Sequence, residues 1–224
     1  MPEQAAFARA LSKHWKAAVR KYLIDENTML AAGNCQTSQA MAIYYNIFEP
    51  AERKAAFEQL INLIEEQEYH LDVGVLGGRV LFHVLTDFGY SDLAFSMITR
   101  PDYPSYGNWI ARGATTLWEV FQPEGSDRIG SLNHHFWGDI SSWFTQALSG
   151  IRMAPHGEPN EVDFRPSFIS RLTHAEAFHI APAGRIASAW ERDEDDVIEL
   201  TVELPSTMHG VIRLESGYVF EDGL

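Results

Sequence analysis

Residues 113–138 read GATTLWEVFQPEGSDRIGSLNHHFWG. A lone acid, Glu119, closes a Gly-Ala-Thr-Thr-Leu-Trp run, and Asn133-His134-His135 follows one loop later. A carboxylate can transfer a proton, an amide and an imidazole can grip hydroxyls, and the indoles of Trp118 and Trp137 can stack on a ring. These are the groups a sugar-cleaving pocket needs. A Glu near a His, taken singly, is more often a surface acid beside satisfied histidines. The stretch therefore has to be weighed with the motifs around it.

Upstream stand Gln36-Thr37, His70-Leu71 with Gly74 and Gly77, and Pro104-Ser105-Tyr106-Gly107. With Gly113 to Glu119, then Ser131-Leu132-Asn133-His134 and Gly138, these motifs fall in the order of the inverting α-L-rhamnosidases. The chain resembles the C-terminal part of that family from about residue 5 to its end. The resemblance implies the C-terminal half of an (α/α)6 barrel followed by a β-domain, and hydrolysis of terminal α-L-rhamnose with inversion. It further implies that Glu119 is the general base, that His134 and Asn133 contact the sugar, and that Trp109, Trp118 and Tyr106 line the same pocket. Two positions depart from the family pattern: Val73 stands where Thr is usual, and Tyr106 where Trp is usual.

An inverting glycosidase needs two carboxyl groups, about 6.5–9.5 Å apart, on opposite sides of the scissile bond. In the family the second one lies in an acid-rich motif in the first half of the barrel, and no such run occurs here. Asp72 and Asp102 are the acids nearest the matched loops. Acids in glycine- or proline-rich loops commonly just hydrogen-bond the backbone.

Length and composition agree with a soluble protein of one large or two modest domains. The 224 residues are 46% hydrophobic, enough for a core. The formal charge of −14 disfavours a nucleic-acid or anionic-membrane partner and suits a neutral substrate. Cys35 is the single cysteine, so no internal disulfide forms and a cytoplasmic location is expected. The N-terminal residues carry scattered charges, which argues against a signal peptide, and nowhere do about 18 apolar residues run together. No H-E-x-x-H or similar ligand spacing occurs, so neither a metal nor another cofactor is implied.

Apolar periodicity predicts helices over 5–23, 38–48, from Phe57 to Ile64, from Leu81 to Phe88, and after a Ser91-Asp92 cap. Residues 100–118 read as a long loop, and a further helix runs from Phe136 to a stop at Gly150. The glycines of His70–Gly78 read as a tight connection between helices. Past Ile151 the period changes. Pro155, Gly157 and Pro159 read as a linker, and Ile198, Leu200, Val202 and Leu204 alternate with polar residues as in a half-buried strand. Residues around Ile186–Trp190, 211–214 and 218–220 complete a small antiparallel sheet or sandwich.

The fold expected is therefore mainly α with a C-terminal β-domain: a partial (α/α)6 toroid over 1–151, then a small antiparallel β-sandwich over 152–224. An open half-toroid would expose apolar helix faces, so a missing N-terminal barrel half or self-association is an expected partner, beside a rhamnose-containing glycoside. The reading from a different class is a non-catalytic carbohydrate-binding or assembly module that kept the pocket but lost the acid. Other α/α-toroid sugar enzymes, such as uronyl hydrolases, would want more basic residues near the pocket than Arg112.

Overall fold

The structure is a computed structural model, and it describes residues 2–126, 130–154 and 157–221. The chain divides into two compact units. The first comprises Met1–Val84 and Met97–Trp137, the second Leu85–Ser96 and Gly138–Leu224.

The first unit begins with α1 (Pro2–Leu23), which leads into a short antiparallel pair, β1 (Ile24–Asp25) and β2 (Leu30–Ala31). The expected helical spacing is present, but no residue of α1 is buried. Phe7 and Trp15, on its apolar stripe, are 70% and 60% exposed. The opposite, basic face makes the attachments. Arg20 forks onto Glu52 at 2.6 and 2.9 Å and reaches Glu26 at 3.0 Å, while Lys16 pairs with Glu49 at 3.0 Å. The guanidinium holds the Glu52 carboxyl below its ordinary pKa.

α2 (Gln36–Tyr44) and α3 (Arg53–Glu66) pack through Ala40, Ile43, Ala56, Leu60 and Ile64, each fully or almost fully buried. Burying one such aliphatic side chain stabilises by about 1.5–3 kcal/mol. α2 is shorter than the sequence suggests, because the chain turns at Asn46 with φ 55°. The buried Gln39 ties the 29–31 turn to α3: its Oε1 accepts from Ala31 N–H at 2.8 Å, and its Nε2 donates to Met29 and Ala56 carbonyls.

α4 (Val75–Asp87) starts earlier than its apolar pattern indicates and takes in Gly77 and Gly78. These two glycines lie inside the helix instead of in a connection. The reason is close approach: a Cβ on Gly77 would overlap Thr37 Oγ1, and one on Gly78 would lie 2.6 Å from the Trp137 ring. Beyond α4, Gly89 takes φ +81° as a helix stop requires. In α5 (Ser91–Thr99) the expected caps serve elsewhere. Ser91 Oγ donates to Ser167 Oγ, and Asp92 Oδ1 accepts from the Ser170 N–H and hydroxyl. Within the expected 100–118 loop a short helix, α6 (Tyr106–Ala111), forms, capped by Ser105 Oγ accepting from Asn108 N–H at 2.8 Å.

A 3-10 turn over His135–Trp137 closes the first unit. The second continues with α7 (Asp139–Trp143) and a π turn, Phe144–Leu148, ended by Gly150 at φ +78°. Trp143 is fully buried and donates Nε1–H to Thr86 Oγ1 at 2.9 Å.

Two three-stranded sheets follow. One has the order β3 (Ile151–Met153), β4 (Glu161–Phe164), β8 (His209–Ile212); the other is a meander of β5 (His174–Ala181), β6 (Gly184–Arg192) and β7 (Ile198–Glu203). Ile151, Val162, Phe164, Ala181, Ile186 and Met208, from both sheets, form one core. β4 and β8 run parallel, with Glu161 opposite His209, so the first sheet is mixed. Residues 218–220 form no strand. β3 and β4 pair antiparallel, and Gly157 and Pro159 of the expected linker lie between them in sequence; Pro155 and His156 lie outside the described residues. The expected 191–196 tip is present: Asp193 Oδ1 accepts from Asp195 and Val197 N–H, each at 2.9 Å.

Candidate active site

The 113–138 stretch doubles back on itself within the first unit. Glu119 N–H donates to Ser131 O and His134 N–H to Leu117 O, both at 2.8 Å, and Thr116 Oγ1 donates to Leu132 O. These bonds pair residues 116–119 with 131–134 as two arms joined without a regular strand. The side chains of Glu119 and Trp118 have different surroundings. Trp118 lies under the Arg112 guanidinium, 5.2 Å from its ring. Glu119 lines a cavity of about 510 Å3, a size within the range of small-molecule sites.

The carboxylate is held from two sides. Glu119 Oε2 accepts from Ser131 N–H at 2.8 Å, which fixes one oxygen by a charge-assisted bond. Its carbonyl accepts from Trp137 Nε1–H at 2.9 Å, which fixes the backbone beneath it. Gly130 comes close to the acid: a Cβ there would lie 3.3 Å from Glu119 Oε2.

Under Glu119 sits an aromatic cluster. Trp109 stacks on Phe121 at 4.3 Å and 27°, Phe121 meets Trp137 at 4.6 Å, and Tyr106 meets Trp109 edge-on at 5.4 Å. Tyr106 also donates its hydroxyl to Trp137 O at 3.2 Å. Tyr106 and Trp109 are 7% and 2% exposed, so their ring faces are taken up by neighbours. Trp109 Nε1 is buried with no hydrogen-bond partner among the described residues.

The other sequence candidates stand on the same arms but outside the cavity wall. His134 is half-buried between His135, with ring centroids 6.1 Å apart, and Phe136, at 4.6 Å edge-on. Asn133 is exposed, its N–H and carbonyl engaged by the Ser131 hydroxyl. The geometry thus brings Glu119 and Trp137, both named from the sequence, together with residues that were not assigned to the pocket. Thr37 lines the cavity from the start of α2, Asp72 and Gly74 line it from the segment before α4, and Tyr103 lines it as well. For Thr37, Asp72 and Gly74 the signal was present, since the Gln36-Thr37 and His70–Gly77 motifs name their neighbourhoods; Tyr103 stands in no motif.

Gln36 explains why those two motifs occur together. It is fully buried, its Nε2 donates to His70 O at 2.8 Å, and its Oε1 accepts from Asp72 N–H at 3.0 Å. One amide thereby brackets the backbone that presents Asp72. On the far side of His70, its Nε2 meets Asp102 Oδ2 at 2.9 Å, and Arg100 forks onto the same carboxylate at 2.9 and 2.8 Å. The guanidinium first, then the imidazole, hold the Asp102 carboxyl well below the usual carboxylate range. Asp102 therefore stays ionised, does not line the cavity, and is unsuited to donate a proton. Among the described residues no group of three or more His, Cys, Asp or Glu side chains could hold a metal ion. No helix among them is long and apolar enough to cross a membrane.

Comparison with known proteins shows the family. Residues 2–148 match the model of the bacterial α-L-rhamnosidase six-hairpin glycosidase domain, and residues 160–217 that of the bacterial α-L-rhamnosidase C-terminal domain. The chain belongs to the bacterial α-L-rhamnosidase family. The α-L-rhamnosidase of Streptomyces avermitilis is 31% identical over 179 residues, which are 77% of this chain and 17% of that protein. That of Alteromonas sp. is 30% identical over 84% of this chain and 21% of the relative. In three dimensions the Streptomyces avermitilis α-L-rhamnosidase complexed with L-rhamnose gives a TM-score of 0.85 at 28% identity, over 93% of this chain and 20% of that one. The α-L-rhamnosidase from Dictyoglumus thermophilum gives 0.83 at 27% identity, over 95% and 24%. The chain thus spans about a fifth of the length of the α-L-rhamnosidases it matches, and what it matches is their C-terminal part.

Proposed function

We propose that this chain is the C-terminal portion of an α-L-rhamnosidase that cleaves terminal α-L-rhamnose with inversion, with Glu119 as the general base. Support comes from the Glu119 carboxylate, fixed by Ser131 N–H at the wall of a cavity of about 510 Å3 in a chain of this family. In this mechanism Glu119 takes a proton from a water, the water oxygen attacks the anomeric carbon, and a second carboxyl group protonates the departing oxygen. The second group is supplied by an N-terminal half of the barrel, since Asp102 is locked in its ion pairs.

His134, Asn133 and Trp118 contribute sugar contacts at the edge of the site. Tyr106 and Trp109 act from beneath, by setting the positions of Phe121 and Trp137. The division into a barrel part (1–151) and a β-domain (152–224) is supported by the two family matches. A cytoplasmic location follows from the single cysteine.

The test is hydrolysis of a chromogenic α-L-rhamnoside by the chain alone and by the chain mixed with an acid-bearing N-terminal half. Activity only in the mixture, lost in Glu119→Gln, is the expected outcome. Rhamnose binding without turnover in the mixture would leave a carbohydrate-binding module instead.

A further inference from the structure

We propose that Asp72 is a substrate-orienting residue, whose carboxylate accepts hydrogen bonds from adjacent ring hydroxyls of the sugar held over Glu119. The inference rests on the reading of this cavity as a sugar site. Among the described residues that line it, Asp72 and Glu119 are the acids, and they belong to separate segments.

An aspartate in a glycine-rich turn ordinarily spends its carboxylate on nearby backbone N–H groups. Asp72 does not. Among the described residues its carboxylate has no hydrogen-bond or ion-pair partner, and the group that is engaged is its N–H, held by the buried Gln36. Gln36 also holds His70 O, so the segment presenting Asp72 is braced by a side chain with no exposed surface. Asp72 is exposed, so its carboxylate, with both oxygens free on a braced backbone, is open to accept from two donors at once.

The cavity's other polar groups suit the same ligand. Thr37 supplies a hydroxyl from the start of α2, Tyr103 a phenol, and Trp137 apolar surface. Neutral donors and acceptors beside these carboxylates match a polyhydroxylated pyranose. Among the described residues no lysine or arginine lines this wall to meet an anionic sugar.

The experiment is titration with L-rhamnose of the chain mixed with the acid-bearing N-terminal half, followed by tryptophan fluorescence, for the wild type, Asp72→Ala and Asp72→Asn. The 2-, 3- and 4-deoxy derivatives of L-rhamnose are titrated in parallel, and thermal unfolding checks that each variant is folded. Asp72→Ala should weaken L-rhamnose binding tenfold or more, and Asp72→Asn should restore part of the loss. For the deoxy sugars that lack a contacted hydroxyl the gap between the wild type and Asp72→Ala should shrink, because one of the two bonds is already gone; a merely structural role would not produce that selectivity. Equal L-rhamnose affinity of the wild type and Asp72→Ala overturns the inference alone. So does a loss of the same size for every deoxy sugar. Failure of the wild-type mixture to bind L-rhamnose overturns the sugar-site reading, and this inference with it.

Discussion

At the scale of single residues, the site depends on a few close approaches. Gly78 has no room for a methyl group, because its Cβ would meet the Trp137 ring at 2.6 Å. Trp137 in turn donates to the Glu119 carbonyl. Gly78→Ala should therefore cost about 1–3 kcal/mol by overpacking and shift Trp137. A lower midpoint in urea together with a changed tryptophan emission spectrum is the expected result. Glu119→Gln keeps the shape of the side chain and can still accept from Ser131 N–H. It should leave the unfolding midpoint almost unchanged, while removing about 10²–10⁴-fold of rhamnoside hydrolysis in the reconstituted enzyme. Glu119 as a candidate was legible in the sequence. That Trp109 and Tyr106 stand behind it in a packed cluster was not, because an aromatic residue in a motif looks the same whether its face is open or covered.

At the scale of elements, two polar clamps set the cavity wall. Gln36→Ala would strand the part-buried Asp72 N–H and His70 O, and the lost hydrogen bonds cost about 0.5–1.5 kcal/mol each. A reduced denaturation midpoint, with faster hydrogen exchange at Asp72 than in the wild type, is the expected outcome. The second clamp, Arg100–Asp102–His70, ties the 100–104 segment to the residues before α4. Because the folded Asp102 is held below its ordinary value of 3.8, its pairing adds stability that is complete above that value and is lost as pH falls below it. Asp102→Asn should thus lower the unfolding midpoint at pH 7 and make no difference at the acid end of the range. The gain is modest, because the carboxylate is half exposed. Unfolding midpoints of the two proteins measured from pH 7 downwards check this convergence. The links from Gln36 and the one between His70 and Asp102 are not visible in one dimension, since each joins residues more than 30 positions apart.

At the scale of the molecule, α1 presents an uncovered apolar stripe. Its apolar stripe faces outward, with Phe7 70% and Trp15 60% exposed, while its basic face is attached to Glu49 and Glu52. A stripe of that kind has no neighbour to lose. Phe7→Ser combined with Trp15→Ser should change the unfolding midpoint by no more than about 0.5 kcal/mol, yet reduce self-association or binding of an N-terminal barrel half, as light scattering and pull-down with that half would read. An unaltered association would place the contact on another face.

The sequence by itself determined the family, the mainly helical character of the first 150 residues, the change of period near Ile151, and Glu119 as the acid to watch. Those features rest on local spacing and on motif order, which survive without coordinates. Only the tertiary structure decided that Gly77 and Gly78 lie inside a helix, that β4 and β8 run parallel, and that Ser91 and Asp92 hold a distant loop instead of capping α5. It alone brought Thr37, Asp72, Tyr103 and Glu119 to one cavity. The physical reason is the same in each case. Packing and long-range hydrogen bonds choose among local conformations that the chain's own propensities leave nearly equal in energy.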